Sequence, residues 1–205
     1  MINSFDKNSK TILVSNTRPY SDSNSIAADI ASILARKGKK IAVIDADLRH
    51  PYMHKVFGVK NNAGLAGILL QDQPIQKIRQ FVNQQHISLI SAGHLAANAD
   101  DPLKSKAMED MVERLKIMFD KVIIHGPAFS YLEASSLAGM VDNLVLLVHP
   151  GHVKTRMYQS IVERFQKKGT RIVGVVMRDQ PKQVSSQSAF LDRLLTYDRQ
   201  VQKTI

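Results

Sequence analysis

The chain has 205 residues, no cysteine and a formal net charge of +10. Disulfides and thiolate chemistry are therefore excluded, whereas anionic lipid, acidic polysaccharide and nucleic acid stay open as partners beside the alternative of a basic solvated surface. No apolar run approaches the roughly 18 residues that span a bilayer, and the N-terminus lacks signal-peptide character. These features predict a soluble intracellular domain, long enough to bury a full core.

Short apolar runs alternate with helical patterns along the chain. The predicted strands are Thr11 to Asn16, Lys40 to Asp45, Ile87 to Ser91, Lys121 to His125, Asn143 to His149 and Arg171 to Met177. The predicted helices are Ser25 to Lys37, Lys104 to Phe119 and Val153 to Lys168. Several strands are apolar throughout, which is typical of a sheet covered on both faces. The alternation predicts an α/β fold with three layers, a mostly parallel central sheet flanked by helices.

Two apolar stripes at helical spacing bear on domain organisation. The stripe within the second predicted helix is expected to be buried, and its members are Met108, Met111, Val112, Leu115 and Met118. A second stripe follows a polar loop near the end of the chain, with members Phe190, Leu191, Leu194, Leu195 and Val201. We expect residues 1–179 to form the domain and residues 180–205 a tail and helix packed on it. A sister chain or a membrane surface is the alternative site for that helix.

The segment from Ser15 to Ser25 is the most informative part of the sequence. It joins a strand to a helix as a phosphate-binding loop does, yet it contains no glycine and no lysine. Such loops need glycines for close backbone approach and a lysine for the outer phosphates. One physical alternative is that Asp22 or Ser25 caps the helix and replaces the phosphate.

Polar residues also follow three other predicted strands, at the sheet edge where ligands of open α/β sheets bind. Asp45 and Asp47 follow the second strand, His125 the fourth and His149 the fifth. If they converge, these four side chains could hold zinc or manganese, and Asp-x-Asp also occurs in phosphatases. The alternative is a set of unligated polar residues lining an empty pocket. No Ser-His-Asp arrangement is recognisable in the linear sequence.

The stretch IDADLRHP at 44–51, with Lys55 to Gly58 and Gly64-Leu65 after it, resembles the bacterial tyrosine kinases (BY-kinases) of capsule and exopolysaccharide biosynthesis. These kinases belong to the deviant-Walker class of P-loop NTPases that includes ParA and MinD. The likeness continues through Ser91-Ala92-Gly93 and covers roughly Thr11 to Asp179. It implies a P-loop NTPase-like fold, and ATP with magnesium as the family's cofactors.

The departures from the family pattern fall on its functional positions. Aligned from Pro19, the two loop glycines become Tyr20 and Asp22. The lysine becomes Ser23, the Ser-Thr pair becomes Asn24-Ser25, the later magnesium-organising acid becomes His125, and the adenine-reading asparagine becomes Arg178. Only Asp45 and Asp47 remain of the magnesium and phosphate machinery. The pocket expected to be vestigial comprises Asp22, Ser23, Asn24, Ser25, Asp45, Asp47, His125 and Arg178.

The resemblance therefore implies a degenerate, pseudokinase-like member that needs no cofactor. Its expected role is protein–protein interaction in exopolysaccharide or capsule polymer assembly or export. The expected partner is a membrane-embedded polysaccharide chain-length or export protein, met at the cytoplasmic face of the inner membrane; a homo-oligomer stays open. One alternative is an active ATP-dependent tyrosine kinase or ATPase with an unorthodox loop. The other is a ParA/MinD-like protein that positions DNA or binds an anionic membrane surface, although nucleic acid is not the expected partner.

Overall fold

The computed structural model describes residues 8–18, 23–82, 86–95, 101–129, 132–149 and 155–177. Its strands are β1 (Thr11–Asn16), β2 (Ile41–Asp45), β3 (Gln80–Val82), β4 (Ile87–Ile90), β5 (Lys121–His125), β6 (Asn143–Val148) and β7 (Arg171–Met177). Its helices are α1 (Ser23–Arg36), α2 (Met53–Phe57), α3 (Leu65–Gln71), α4 (Ile75–Ile78), α5 (Lys106–Met118) and α6 (Thr155–Gln166). Two short 3-10 segments, Pro102–Lys104 and Leu132–Leu137, complete the described elements.

The strands form one sheet in the order β3-β4-β2-β5-β1-β6-β7. Every neighbouring pair is parallel except β3 and β4. In this register Asp45 on β2 lies beside His125 on β5, and His125 lies beside Val14 on β1. The carboxyl ends of β2, β5 and β1 therefore adjoin one another at one edge of the sheet.

Helices cover both faces of the sheet. On one face α5 and α6 bury residues such as Met108 and Phe165 against the strands. On the other face α1 buries Ala27 and Ala31 against Ile12 and its neighbours. Strands covered on both sides have no polar face, so the predicted three-layer, mostly parallel α/β fold is confirmed.

The segment 53–82 was not resolved into elements by the sequence. It forms α2, α3, α4 and β3, which are too short for an apolar period to show. One predicted core residue is also misplaced: Met118 is 42% exposed, because α5 ends there. The predicted tail, residues 180–205, lies outside the described residues. Within the described ranges, no helix combines the length and apolarity needed to cross a membrane.

Candidate functional site

A chain of buried hydrogen bonds links four side chains at the carboxyl edge of the sheet. Asn16 Nδ2 at the end of β1 donates to Ser23 Oγ, the first residue of α1, at 2.7 Å. Ser23 Oγ lies 3.0 Å from His125 Nε2 at the end of β5. His125 Nδ1 lies 3.0 Å from Asp45 Oδ1 at the end of β2. Each of the four residues is at most 3% exposed, so water does not compete for these bonds.

Both ends of this chain of hydrogen bonds are anchored on backbone N–H groups. At one end, Asp45 Oδ2 accepts the N–H groups of Tyr52 and Met53 at 3.0 Å each, where α2 begins. N–H groups at the start of a helix have no partner within the helix. At the other end, Asn16 Oδ1 accepts the N–H of Arg18 at 3.1 Å. This contact orients the Asn16 amide so that its Nδ2 faces Ser23.

The direction of the hydrogen bonds follows from which groups can donate. An ionised carboxylate only accepts, so in the neutral imidazole of His125 the proton sits on Nδ1, which donates to Asp45. His125 Nε2 then accepts the hydroxyl proton of Ser23, while Ser23 Oγ accepts from Asn16. Every member has a complementary partner, and a fully satisfied buried network rigidifies the groups that form it.

The contacts Ser23–His125–Asp45 have the connectivity of a Ser-His-Asp triad. It could not be recognised in the linear sequence, because its members lie 102 and 80 residues apart in the chain. The one available signal was that His125 and Asp45 both end predicted strands. However, Ser23 is fully buried and its oxygen is engaged by Asn16 as well as by His125. The hydroxyl is therefore not presented to a substrate, and the arrangement cross-links strand ends.

Asp47 lies beside these hydrogen-bonded side chains but has a different hydrogen-bond partner. It is 8% exposed, and its Oδ1 accepts the N–H of His50 at 3.0 Å. Burial raises the pKa of Asp47 above its ordinary value, although the nearby His125 imidazole and the His50 N–H oppose the rise. Asp47 therefore takes up a proton at a higher pH than an ordinary aspartate does.

The remaining predicted site residues have different outcomes. Ser25 lies in the first turn of α1, two residues after the helix begins, so the hypothesis that it caps this helix is wrong. Asn24 also lies in that turn. Asp22 and Arg178 fall outside the described residues.

The candidate metal ligands do not assemble into one group. Asp45 and His125 meet, but His149 follows β6, on the far side of β1 from His125. Across the described ranges, no group of three or more His, Cys, Asp or Glu side chains is placed to hold a metal ion.

Comparison with known proteins places this geometry in a family context. Residues 22–178 match the profile of the ParA family, described as NUBPL iron-transfer P-loop NTPases. The tyrosine-protein kinase YwqD of Bacillus subtilis is 27% identical over 188 residues, which are 91% of this chain and 78% of YwqD. The tyrosine-protein kinase ptk of Acinetobacter johnsonii is 28% identical over 170 residues. That match covers 82% of this chain but 23% of ptk, so the chain spans about a quarter of the longer relative.

Solved structures show the same fold. The kinase domain of the Escherichia coli tyrosine kinase ETK has a TM-score of 0.77 at 22% identity, covering 90% of this chain and 74% of that chain. The septum site-determining protein MinD of Pyrococcus horikoshii, solved with Mg-ADP, has a TM-score of 0.73 at 18% identity, covering 85% and 72%. The sheet and helices described above are therefore a P-loop NTPase-like fold.

Proposed function

The chain belongs to the ParA family of P-loop NTPases, and from that premise we propose that it is a non-catalytic, BY-kinase-like member that acts through protein–protein interaction. Its process is exopolysaccharide or capsule polymer assembly or export. Its partner is a membrane-embedded polysaccharide chain-length or export protein, met from the cytoplasmic side of the inner membrane. The protein performs this role without ATP or magnesium.

The observation that carries this proposal is the use of Ser23. Ser23 stands where the family resemblance places the phosphate-binding lysine, and it is hydrogen-bonded to Asn16 and His125 inside the domain. His125, which stands where the resemblance places the family's later magnesium-organising acid, is hydrogen-bonded to Asp45. The side chains that would meet phosphate and magnesium thus satisfy one another. None of these four side chains is a lysine or arginine, so this hydrogen-bonded group supplies no permanent positive charge to a triphosphate.

The magnitudes of the lost and added interactions argue against nucleotide binding. A charge-assisted hydrogen bond contributes about 1.5–3 kcal/mol, so loss of the lysine alone weakens binding by about ten- to a hundredfold. In the sequence, Asp22 stands where the family's loop would curl around phosphate, and a carboxylate about 4 Å from a phosphate oxygen adds about 4 kcal/mol of repulsion at an effective dielectric of about 20. Together these terms remove most of the affinity of a typical nucleotide site.

Titration calorimetry with ATP and magnesium tests the loss of nucleotide binding. We expect no measurable heat of binding at millimolar ATP, with the ETK kinase domain of Escherichia coli titrated in parallel as the reference. A dissociation constant in the micromolar range, or steady release of phosphate, would refute the non-catalytic proposal and favour the active kinase or ATPase.

Co-purification tests the proposed partner separately. The tagged chain is expressed with a detergent-solubilised polysaccharide chain-length protein from the same genome, and we expect the two to elute together without nucleotide. Deletion of the gene should also change the amount or length of the polymer, and a copy carrying the wild-type sequence should restore it. No co-elution together with an unchanged polymer would contradict the assigned process, even if ATP binding proves absent.

A further inference from the structure

Exposed basic side chains collect at the amino edge of the sheet, opposite the carboxyl edge that holds Ser23, His125 and Asp45. β2, β5, β1, β6 and β7 are parallel, so the segments that lead into these strands meet at this edge. The end of α1 with the segment that follows it, and the segment between α6 and β7, supply six exposed cations. We call these residues the basic edge: Arg36, Lys37, Lys39, Lys40, Lys167 and Lys168.

Glycine-capped turns hold the two parts of the basic edge. After α1, Gly38 has a φ of 76° and donates its N–H to the carbonyl of Ala35 at 2.9 Å. After α6, Gly169 has a φ of 83° and donates its N–H to the carbonyl of Gln166 at 2.9 Å. Glycine is the usual residue at such a left-handed helix end. A Cβ on either glycine would meet no atom of the described chain within 4 Å, so both turns protrude from the surface.

Stabilisation of the helix dipoles accounts for only part of this charge. A cation in the last turn of a helix stabilises its negative end, and the effect fades beyond that turn. Arg36 in α1, Lys116 in α5 and Arg164 in α6 occupy such positions. The other members of the basic edge are all lysines, and they come after α1 or α6 has ended. Helix stability therefore does not explain them.

The protein itself does not neutralise the basic edge. Among the described residues, none of its six side chains forms a salt bridge. Asp120 and Asp142 lie at the same edge but bind backbone groups. Asp120 accepts the N–H of Lys40 at 2.8 Å, and Asp142 accepts those of Lys10 and Thr11 at 2.6 and 2.8 Å. A surface with this excess of one charge attracts a partner of the opposite charge.

We propose that the basic edge binds the anionic headgroups of a lipid bilayer. Four strand spacings separate β2 from β7, which is about 19 Å, and α1 and α6 cover opposite faces of the sheet. The six cations are thus spread across the whole edge. A flat, extended anionic surface can contact both parts at once, and each Lys or Arg close to such a surface strengthens binding about fivefold.

The direction of the helices favours lipid over nucleic acid as the partner. α1, α5 and α6 each end at this edge, so it presents the negative ends of three helix dipoles. Nucleic-acid phosphates are often held by N–H groups at helix starts, and none of these three helices begins here. The lysines that extend past the helix ends act as separate point charges, which suits a diffuse attraction to a lipid surface.

This contact gives the domain a defined orientation at the membrane. The basic edge faces the inner leaflet, and the carboxyl edge with Ser23 and His125 faces away from it. The membrane location rests on the proposed function, which places the partner in the inner membrane. Vesicles that contain no protein therefore test the lipid contact independently of that partner.

Vesicle co-sedimentation tests the lipid contact. The full chain is mixed, without ATP, with vesicles of phosphatidylcholine alone or of phosphatidylcholine and phosphatidylglycerol in equal parts. We expect binding to the mixed vesicles only. Added salt should weaken it, because exposed charges are screened.

Neutralising the basic edge should abolish most of this binding. The test variant carries four changes: Lys37→Gln, Lys39→Gln, Lys167→Gln and Lys168→Gln. At about fivefold for each charge, we expect the affinity to fall by more than about a hundredfold. The matched control removes the same net charge from four exposed lysines between β2 and α5: Lys55, Lys60, Lys77 and Lys104. The control should bind close to the wild-type affinity, and both variants should stay folded in thermal melts, since exposed substitutions change stability little.

Fluorescence quenching tests the orientation, because the chain has no cysteine of its own. A fluorophore is attached to Lys40→Cys and, in a separate protein, to Lys60→Cys. Lys60 is hydrogen-bonded to Gln80, which pairs with Leu89 near the carboxyl end of β4. Nitroxide-labelled headgroups should therefore quench the fluorophore at position 40 and leave the one at position 60 bright.

Several results would overturn the proposal: no binding to the mixed vesicles, equal binding to phosphatidylcholine alone, equal losses in the test and control variants, equal quenching at both positions, or tighter binding to duplex DNA at the same salt concentration. Co-purification with the chain-length protein is a separate measurement. Its failure with lipid binding intact would refute the proposed partner and support the basic edge as a lipid contact. Co-purification without lipid binding would refute the basic edge alone.

Discussion

Replacing Asp45 by asparagine tests the direction of the buried hydrogen-bond chain. The substitution keeps the shape of the side chain and creates no cavity, so any effect reports on charge and hydrogen bonding. Asp45 accepts three bonds, two from the N–H groups of Tyr52 and Met53 and one from His125. An amide has one acceptor oxygen, so the asparagine can accept either from the two backbone N–H groups or from His125, but not from both.

The expected loss of stability follows from counting those bonds. A hydrogen bond to a charged group contributes about 1.5–3 kcal/mol and a neutral one about 0.5–1.5. Three bonds that each lose about 1 kcal/mol lower the free energy of unfolding by about 3 kcal/mol in Asp45→Asn. In a domain of this size, each kcal/mol lowers Tm by about 2–4 °C, so we expect a decrease of about 6–12 °C.

The substitution should also reverse the tautomer of His125. The new amide oxygen is best placed on the two backbone N–H groups, which turns its NH₂ group toward His125 Nδ1. That nitrogen must then accept, so the imidazole proton moves to Nε2 and points at Ser23. Nitrogen-15 NMR distinguishes the two tautomers. We expect the Nδ1–H form in the neutral imidazole of the wild type and the Nε2–H form in Asp45→Asn.

Asp120→Asn provides the matched control. Asp120 accepts the N–H of Lys40 at 2.8 Å in an exposed position, so its neutralisation should change Tm by little. A wild-type His125 already in the Nε2–H form, or an Asp45→Asn protein as stable as the control, would refute the proposed donor-to-acceptor direction of these buried hydrogen bonds.

Three further predictions concern other positions. Burial alone would raise the pKa of Asp142, but hydrogen bonds from Thr11 and from the N–H of Lys10 outweigh burial and lower it. Asp142→Asn should therefore lower Tm at neutral pH. In thermal melts at acid pH, the difference in Tm from wild type should vanish as the pH falls through the lowered pKa. Gly64→Ala should unfold at markedly lower denaturant concentration, since a Cβ there would overlap the backbone after β4, whereas Gly38→Ala, which meets no neighbour within 4 Å, should lose only the smaller cost of its positive φ. Ser23→Lys should not restore ATPase activity in a phosphate-release assay, because the loop glycines and the magnesium-organising acid replaced by His125 are still absent. Robust turnover by that single variant would contradict the proposed loss of function.

Much of this architecture could be read from local patterns in the sequence. The bounds of β1, β5 and β7 match the predicted strands residue for residue. β1 and β5 are buried, and strands buried on both faces are almost continuously apolar; β7 is only partly buried but is equally rich in Ile and Val. The absence of glycine and lysine between Ser15 and Ser25 is likewise a local fact. Local patterns did not reveal α2, α3, α4 or β3. These helices have four to seven residues, fewer than the roughly 11–18 over which a helical period is recognised, and β3 has three, fewer than the roughly four that show an alternation.

Tertiary structure alone brought Ser23, His125 and Asp45 together. Their contact depends on the strand order β2-β5-β1, which places the ends of strands far apart in the chain side by side. The exposure of Ile117 at the end of α5 also could not be predicted, because helical spacing indicates which residues face the core but not where the segment that covers them ends. Hydrogen bonds and burial between distant segments are properties of the folded chain, and a linear pattern can only nominate the residues that take part in them.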